Sequence, residues 1–155
     1  MTNLFELEEG IGLKGGLTVQ IGEGPEVRGA MTRNLTIRDE AFSFIEPALR
    51  RHATNYGPSA RYGVTEIVAD AWKAVVEDLR KLATRLAAGA SPSDADFDWV
   101  HTVDLDDGIE INSASFRRRF DHPDERTALG AFLVSVADWV DESLTRQTVL
   151  TIYGV

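Results

Sequence analysis

The residues best suited to chemistry form a run of acids that is followed at once by a run of arginines. Between Leu86 and Phe116 the chain has no lysine or arginine, and then three consecutive arginines follow. The acids of this run are Asp94, Asp96, Asp98, Asp104, Asp106, Asp107 and Glu110. Carboxylates at this density can bind a metal ion, exchange protons or attract a basic surface. The fold decides which of them the chain neutralises by itself.

The residue pattern across this run predicts a β-hairpin. Apolar and polar residues alternate from Phe97 to Leu105, and Asp106-Asp107-Gly108 has the composition of a turn. A three-residue loop aligns the apolar faces better than a two-residue loop does. In either register the returning strand brings the arginines back beside the first acids, where cross-strand charge pairs stabilise a sheet. The predicted structural charge pairs involve Asp96, Asp98, Arg117, Arg118 and Arg119.

Four acids remain at the tip of this predicted hairpin, with no basic residue in reach along the strands. They are Asp104, Asp106, Asp107 and Glu110. Loop tips carry function more often than cores do. We therefore hypothesise that these four residues contact a basic protein partner. A solvated acidic turn is the alternative.

A calcium loop is the first motif to test against the acids. Alternate aspartates from Asp94 match its first three ligands, but Trp99 stands where the loop needs glycine. Leu105 also stands where the bidentate glutamate belongs. We therefore predict no metal site, and weak, irregular binding of a divalent ion by these acids is the alternative.

A glycine-rich stretch, Gly10-x-Gly12-x-x-Gly15, matches the dinucleotide fingerprint in its letters. That fingerprint requires a helix to open directly after it, so that backbone N–H groups meet the pyrophosphate. The residues from Gly16 to Gly22 are instead patterned as a strand. We therefore predict no cofactor.

The histidines offer an enzymatic alternative. His101 or His122 could act with aspartates in a small enzyme or in a ligand- or metal-binding protein. His101 lies on the apolar face of its predicted strand, which favours a buried structural histidine. His122 lies at a predicted helix start, where it is expected to help cap the helix. No serine-hydrolase elbow is present, so we favour a non-enzymatic protein.

One cluster combines basic and aromatic residues outside the hairpin. Its members are Arg50, Arg51, Arg61, Tyr56 and Tyr62. It is a weaker candidate for a pocket that takes an anion or a peptide. An exposed helix end balanced against the acidic body is the preferred interpretation.

Composition limits the remaining classes. The chain has 155 residues, with 16 basic and 25 acidic residues and a formal charge of −9. This charge disfavours nucleic acid and anionic membrane as partners. There is no cysteine, the first ten residues are acidic rather than signal-like, and no apolar run has the length of a membrane span. We expect a cytoplasmic protein, and the 13 arginines against 3 lysines suggest a bacterial genome rich in G and C.

The pattern of predicted strands and helices indicates a single α+β domain over residues 1–155, which positions the residues named above. We expect a mostly antiparallel sheet of about five strands packed by about three helices, in the order β-β-α-α-β-β-α-β. The predicted strands outside the hairpin are Leu17–Ile21, Glu26–Met31 and Thr148–Tyr153, and Asn34–Ile37 is expected either to extend the sheet or to lead into the first helix. The predicted helices begin at Thr36, at Thr65 and at Asp121 or His122, with a break at Pro47 in the first and an end at Gly89 in the second. Trp139 is expected at the edge of the apolar stripe of the third helix. Apolar residues at helical spacing form the predicted inner face of the second helix, namely Val68, Trp72, Val75, Leu79, Leu82 and Leu86.

The leading hypothesis is a small acidic protein that binds another protein, as inhibitors and immunity-type proteins do. This comparison is an analogy of class only. A homo-oligomeric structural subunit, for instance a homodimer, is a further alternative. It would use the final strand or the apolar face of the helix that begins at Thr65.

Overall fold

The computed structural model describes residues 4–11, 18–25, 32–57, 63–97 and 117–154. The strands in these ranges are β1 (Leu7–Ile11), β2 (Thr18–Glu23), β3 (Arg33–Arg38), β4 (Val64–Val68) and β5 (Val149–Tyr153). The helices are α1 (Asp39–Phe42), α2 (Glu46–His52), α3 (Ala69–Ala87) and α4 (Pro123–Leu144). A single helical turn at 117–119 precedes α4.

The five strands form one antiparallel sheet in the order β1-β3-β2-β5-β4. The predicted α+β class is confirmed, and β2 and β5 confirm two of the predicted strands. The edge strand β1 was not predicted from the sequence. The predicted strand at Glu26–Met31 lies outside the described residues, as do residues 98–116 of the predicted hairpin. The arginines 117 to 119, which were expected at the end of the returning strand, form a helical turn instead, so this part of the prediction is wrong.

The sheet has an apolar face and a polar face. The apolar face belongs to one hydrophobic core with α3 and α4. Its central residues are Val19, Ile21, Leu35, Ile37, Leu150 and Ile152. Trp72 of α3 fixes the helix to the sheet, because its Nε1–H donates to the Leu150 carbonyl at 3.1 Å. On the opposite face Gln20 and Thr36 are buried and hydrogen-bonded to each other at 3.1 Å.

The first predicted helix begins later than the sequence indicates. Thr36 was expected to cap it but lies inside β3, and the chain passes from the strand into α1 at Asp39 without a loop. The helix stops at Phe42 and restarts as α2 at Glu46. Pro47 lies in the first turn of α2, where its missing N–H is tolerated. The predicted break at this proline is therefore confirmed.

The second predicted helix is displaced in the same way. Thr65 was expected at its N-cap but lies in β4, and α3 begins at Ala69. Val68 was expected on the inner face but is 60% exposed on the strand. The remaining inner positions are buried as predicted, namely Trp72, Val75, Leu79, Leu82 and Leu86. Gly89 follows the helix with a φ of 96°, in the left-handed region that favours glycine after a C-cap.

The helix α4 packs along α3 and begins at Pro123. His122 precedes it in extended backbone, and its side chain makes no capping hydrogen bond, so the predicted capping role is wrong. Trp139 is buried rather than at the edge of the inner stripe. Within the described residues, no helix combines the length and the apolar character needed to cross a membrane.

The two surfaces suggested for self-association are both used inside the chain. β5 lies between β2 and β4, so that both of its edges are paired. The apolar face of α3 belongs to the core. At the outer edge of β4, the Asn55 side chain donates to the Glu66 carbonyl at 2.6 Å, which occupies a group that another strand would need.

Candidate functional site

The chain on either side of residues 98–116 is fixed to the same buried phenylalanine. We call residues 98–116 the acidic segment; it lies outside the described residues. Phe97, directly before it, is 2% exposed, and its ring centroid is 4.4 Å from that of Phe44. Phe120, shortly after it, is fully buried and meets Phe44 edge-on at 5.4 Å. The residues that flank the acidic segment therefore meet at one place in the core, the anchor formed by Phe44, Phe97 and Phe120.

Further contacts hold the anchor. Phe5, near the N-terminus, lies 6.2 Å from Phe44 and 6.3 Å from Phe120 between ring centroids. The Phe120 carbonyl accepts hydrogen bonds from Arg126 Nη1 at 2.8 Å and from Ser91 Oγ at 3.3 Å. Both the rings and the backbone at this point are thus packed or hydrogen-bonded to neighbouring elements.

Asp96 lies one residue before the anchor and is buried. Its carboxylate accepts from Arg85 Nη1 and Nη2 at 3.2 and 2.7 Å, and from the backbone N–H and the Oγ of Ser93 at 2.8 and 3.0 Å. Burial raises the pKa of Asp96, but the hydrogen bonds from Arg85 and Ser93 outweigh it and hold the pKa below its usual 3.8. The group is therefore an anion at neutral pH.

Two of the arginines after the acidic segment bind acids that lie outside it. Arg117 pairs with Asp94, and Arg119 Nε donates to Glu125 at 2.8 Å. The hairpin pattern assigned Asp96 to the arginines 117 to 119, whereas its observed partner is Arg85 of α3. Asp98, the other acid of the predicted pairs, lies outside the described residues.

A cleft of about 160 Å³ opens beside the anchor, between α2, α3 and the residues before Phe97. Its floor is apolar, and Phe44, Leu79 and Leu82 contribute to it. Its rim is charged and consists of Arg51, Asp78, Lys81, Arg85 and Asp96. Phe44 and Asp96 belong to the anchor region and also line the cleft, so the two features are continuous.

A second carboxylate is held at the α2 end of the cleft. Asp78 Oδ2 accepts from Arg51 Nε and Nη2 at 3.0 and 2.9 Å, and His52 Nε2 lies 2.8 Å from it. Burial raises the pKa of Asp78, but the hydrogen bonds from His52 and Arg51 outweigh it and lower the pKa. The sequence pointed to Arg51 but not to Asp78, because 27 residues separate the two.

The predicted basic and aromatic cluster divides between two places. Arg51 lines the cleft, while Arg50 and Tyr56 both contact Glu46, a fully buried carboxylate. The Tyr56 hydroxyl donates to Glu46 Oε2 at 2.9 Å. Arg61 and Tyr62 lie outside the described residues.

None of the other predicted site residues is among the described residues that form the anchor or line the cleft. His122 is exposed before α4, and His101 lies outside the described residues. The four tip acids Asp104, Asp106, Asp107 and Glu110 also lie outside them. In the part of the chain that the structure describes, no group of three or more histidines and carboxylates could hold a metal ion.

Comparison with known proteins identifies no family or function for this chain. No protein family matches the sequence, and neither a curated protein nor a solved structure matches the chain. The function is therefore inferred from the residues and contacts described above.

Proposed function

We propose that the protein acts by binding a basic protein partner and that the acidic segment is its recognition element. The observation that carries this proposal is the anchor, in which Phe97 and Phe120 both pack on Phe44. A segment held at both ends by buried rings has less conformational freedom to lose on binding than a free chain end has. Attachment to the core at both ends suits a segment that presents its side chains to a partner.

The charges around the anchor support the same proposal. The acidic segment contains five carboxylates and no lysine or arginine. Arg117 and Arg119, which follow it, pair with Asp94 and Glu125, which lie outside it. These two cations are therefore partly committed elsewhere. The proposed contacts are the tip residues Asp104, Asp106, Asp107 and Glu110.

The acids in the described part of the chain are different, because many of them pair with arginines of the same chain. Arg80 contacts Asp138 and Asp141, and Arg33 and Arg146 both contact Glu23. With a net charge of −9, the remaining field attracts a basic partner and accelerates encounter. By analogy of class, we propose that the chain acts as inhibitors and immunity-type proteins do, through a complementary surface.

The test begins with affinity capture on the immobilised chain, followed by titration calorimetry with the captured partner expressed alone. The segment variant replaces the tip acids by amides: Asp104→Asn, Asp106→Asn, Asp107→Asn and Glu110→Gln. The matched control replaces four exposed acids elsewhere: Glu6→Gln, Glu77→Gln, Asp121→Asn and Asp124→Asn. Each set changes the net charge from −9 to −9 + 4 = −5.

We expect the segment variant to lose affinity by about tenfold or more, which corresponds to about 1.4 kcal/mol. The control set should stay within about twofold, since charges outside a contact act mainly through the weak long-range field. Equal losses in the two sets would show that net charge, and not the acidic segment, determines binding, and would refute the proposal.

A further inference from the structure

We propose that the cleft beside the anchor binds a small oxyanion, either phosphate or a carboxylate. Its rim has three cations, Arg51, Lys81 and Arg85, against two carboxylates, those of Asp78 and Asp96. The local charge is therefore positive in a chain whose net charge is −9. This inference does not depend on the proposed protein partner.

The two arginines keep hydrogen-bond donors for a ligand. Arg51 binds Asp78 through Nε and Nη2, and Arg85 binds Asp96 through Nη1 and Nη2. A guanidinium has five N–H groups, so each arginine has donors left over. Arg51 Nη1 and Arg85 Nε make no hydrogen bond to any residue that the structure describes. The carboxylates thus hold the guanidinium groups in place without saturating them.

Lys81 is the third cation and is exposed at the rim. Its ammonium group makes no ion pair within the described residues, although Glu77 precedes it by one turn of α3. Lys81 and Arg85 are four residues apart, where like charges on a helix repel each other. An anion bound between them would remove this repulsion.

The size and the floor of the cleft restrict the ligand. A volume of about 160 Å³ is the space of roughly five water molecules, which suits a phosphate or an acetate-sized group. It is smaller than the pockets that hold nucleotides or drug-sized molecules. Leu79 and Leu82 on the floor exclude water from one side, which strengthens charge–charge attraction at the rim.

Amide chemical shifts in a ¹H–¹⁵N correlation spectrum provide the test. The ¹⁵N-labelled chain is titrated with phosphate and separately with acetate, each against chloride at equal ionic strength. We expect saturable shifts confined to the amides of α2, of residues 78–85 and of residues 93–97, with one or both anions. The response to each anion distinguishes a phosphate site from a carboxylate site.

Two single substitutions provide the matched pair, because both remove one exposed lysine charge from α3. Lys81→Gln should weaken anion binding by about fivefold, the effect of one exposed charge. Lys73→Gln, which does not line the cleft, should leave binding unchanged. The inference is wrong if neither anion shifts these amides beyond the chloride reference, or if both variants weaken binding equally. Since no protein partner takes part, its failure leaves the proposed function untouched.

Discussion

The ion cluster around Glu23 and the charged cleft beside Phe44 both combine cations with carboxylates but differ in the sign of their excess charge. At the end of β2, Glu23 accepts hydrogen bonds from Arg33 at 3.0 Å and from Ser143 at 3.1 Å, and it pairs with Arg146. Arg33 also reaches Glu9 and Glu142. This cluster has two cations for three acids, whereas the cleft rim has three cations for two acids.

The difference separates a structural ion cluster from a candidate binding site. Around Glu23 each cation contacts more than one acid, and the contacts join β2, β3 and α4. The Arg33 guanidinium also lies 5.4 Å from the centre of the Trp139 ring, where a cation is attracted by the ring face. In the cleft, by contrast, Lys81 has no ion pair with any described residue. Ion pairs alone therefore do not indicate a binding site. Cations beside a cavity that keep unused hydrogen-bond donors do indicate one.

The floor of the cleft should behave as structure. Phe44→Ala removes a 2% exposed ring that contacts Phe97 and Phe120, so we expect the free energy of unfolding to fall by about 3–5 kcal/mol. Urea denaturation measures this loss. Val134→Ala is the control, since Val134 is 39% exposed and its truncation should cost less than about 0.5 kcal/mol. A loss below about 1 kcal/mol for Phe44→Ala would mean that the anchor is not part of the packed core.

The Glu23 cluster should lose stability when its central charge is removed. Glu23→Gln leaves Arg33 and Arg146 without their shared, largely buried carboxylate, and we expect a loss of about 2 kcal/mol. Glu142→Gln is the matched control in the same cluster, because this side chain is 57% exposed. It should cost less than about 1 kcal/mol. If both variants unfold at the same urea concentration, Glu23 is not the centre of the cluster.

The dependence of stability on pH should involve both regions. Glu23, Asp78 and Asp96 all have pKa values lowered by folding, because hydrogen bonds from their partners outweigh the effect of burial. Their stabilisation is therefore present above their ordinary pKa values, 4.5 for Glu and 3.8 for Asp, and is lost as the pH falls through the folded pKa values. The free energy of unfolding, measured from neutral to acidic pH, should therefore decrease as the pH drops below these ordinary pKa values.

Asp96→Asn separates the contribution of the cleft from that of the Glu23 cluster. We expect it to cost about 1 kcal/mol at neutral pH, a value reduced because Arg85 is half exposed. The difference from the unaltered chain should shrink toward acidic pH, where Asp96 is protonated in both the folded and the unfolded chain. A difference that stays constant with pH would contradict the assignment of Asp96 as a folded-state anion.

The smallest effect should be at the rim of the cleft. Lys81→Gln should change the unfolding free energy by less than about 0.5 kcal/mol, because Lys81 is exposed and has no ion pair among the described residues. Thermal unfolding alongside Lys73→Gln checks this expectation. A clear destabilisation specific to Lys81→Gln would place this lysine among the structural charges and remove the contrast with the Glu23 cluster.

Much of the fold could be predicted from residue periodicity, and the errors share one cause. The spacing of apolar residues predicted the bodies of α3 and α4, and the β-branched residues after Thr148 predicted β5. Thr36 and Thr65 were both placed at helix starts, but both lie in strands that pass directly into helices. When no loop separates a strand from the following helix, a threonine near the end of the strand has the sequence pattern of a helix N-cap, and the predicted helix begins too early. The acidic edge strand β1 was missed because its exposed residues show no alternation.

The candidate site was less predictable because its contacts depend on packing. The sequence identified the arginines 117 to 119 as charge partners of Asp96. Only the fold shows that Asp96 pairs with Arg85 of α3. In the same way, Arg51 was noticed as a candidate while Asp78 was not, since the cleft exists only once α2 packs on α3. The one available signal was the placement of charged residues beside the apolar stripe of α3.

The most direct test of the proposed role of the acidic segment is the rate of association with the captured partner as a function of salt. Stopped-flow fluorescence would measure this rate for the unaltered chain, for the variant with four amides in the acidic segment and for the matched control. We expect a steep fall with ionic strength for the unaltered chain and the control, and a clearly shallower fall for the segment variant. Equal salt dependence in all three proteins would contradict the proposal that the acidic segment guides the partner.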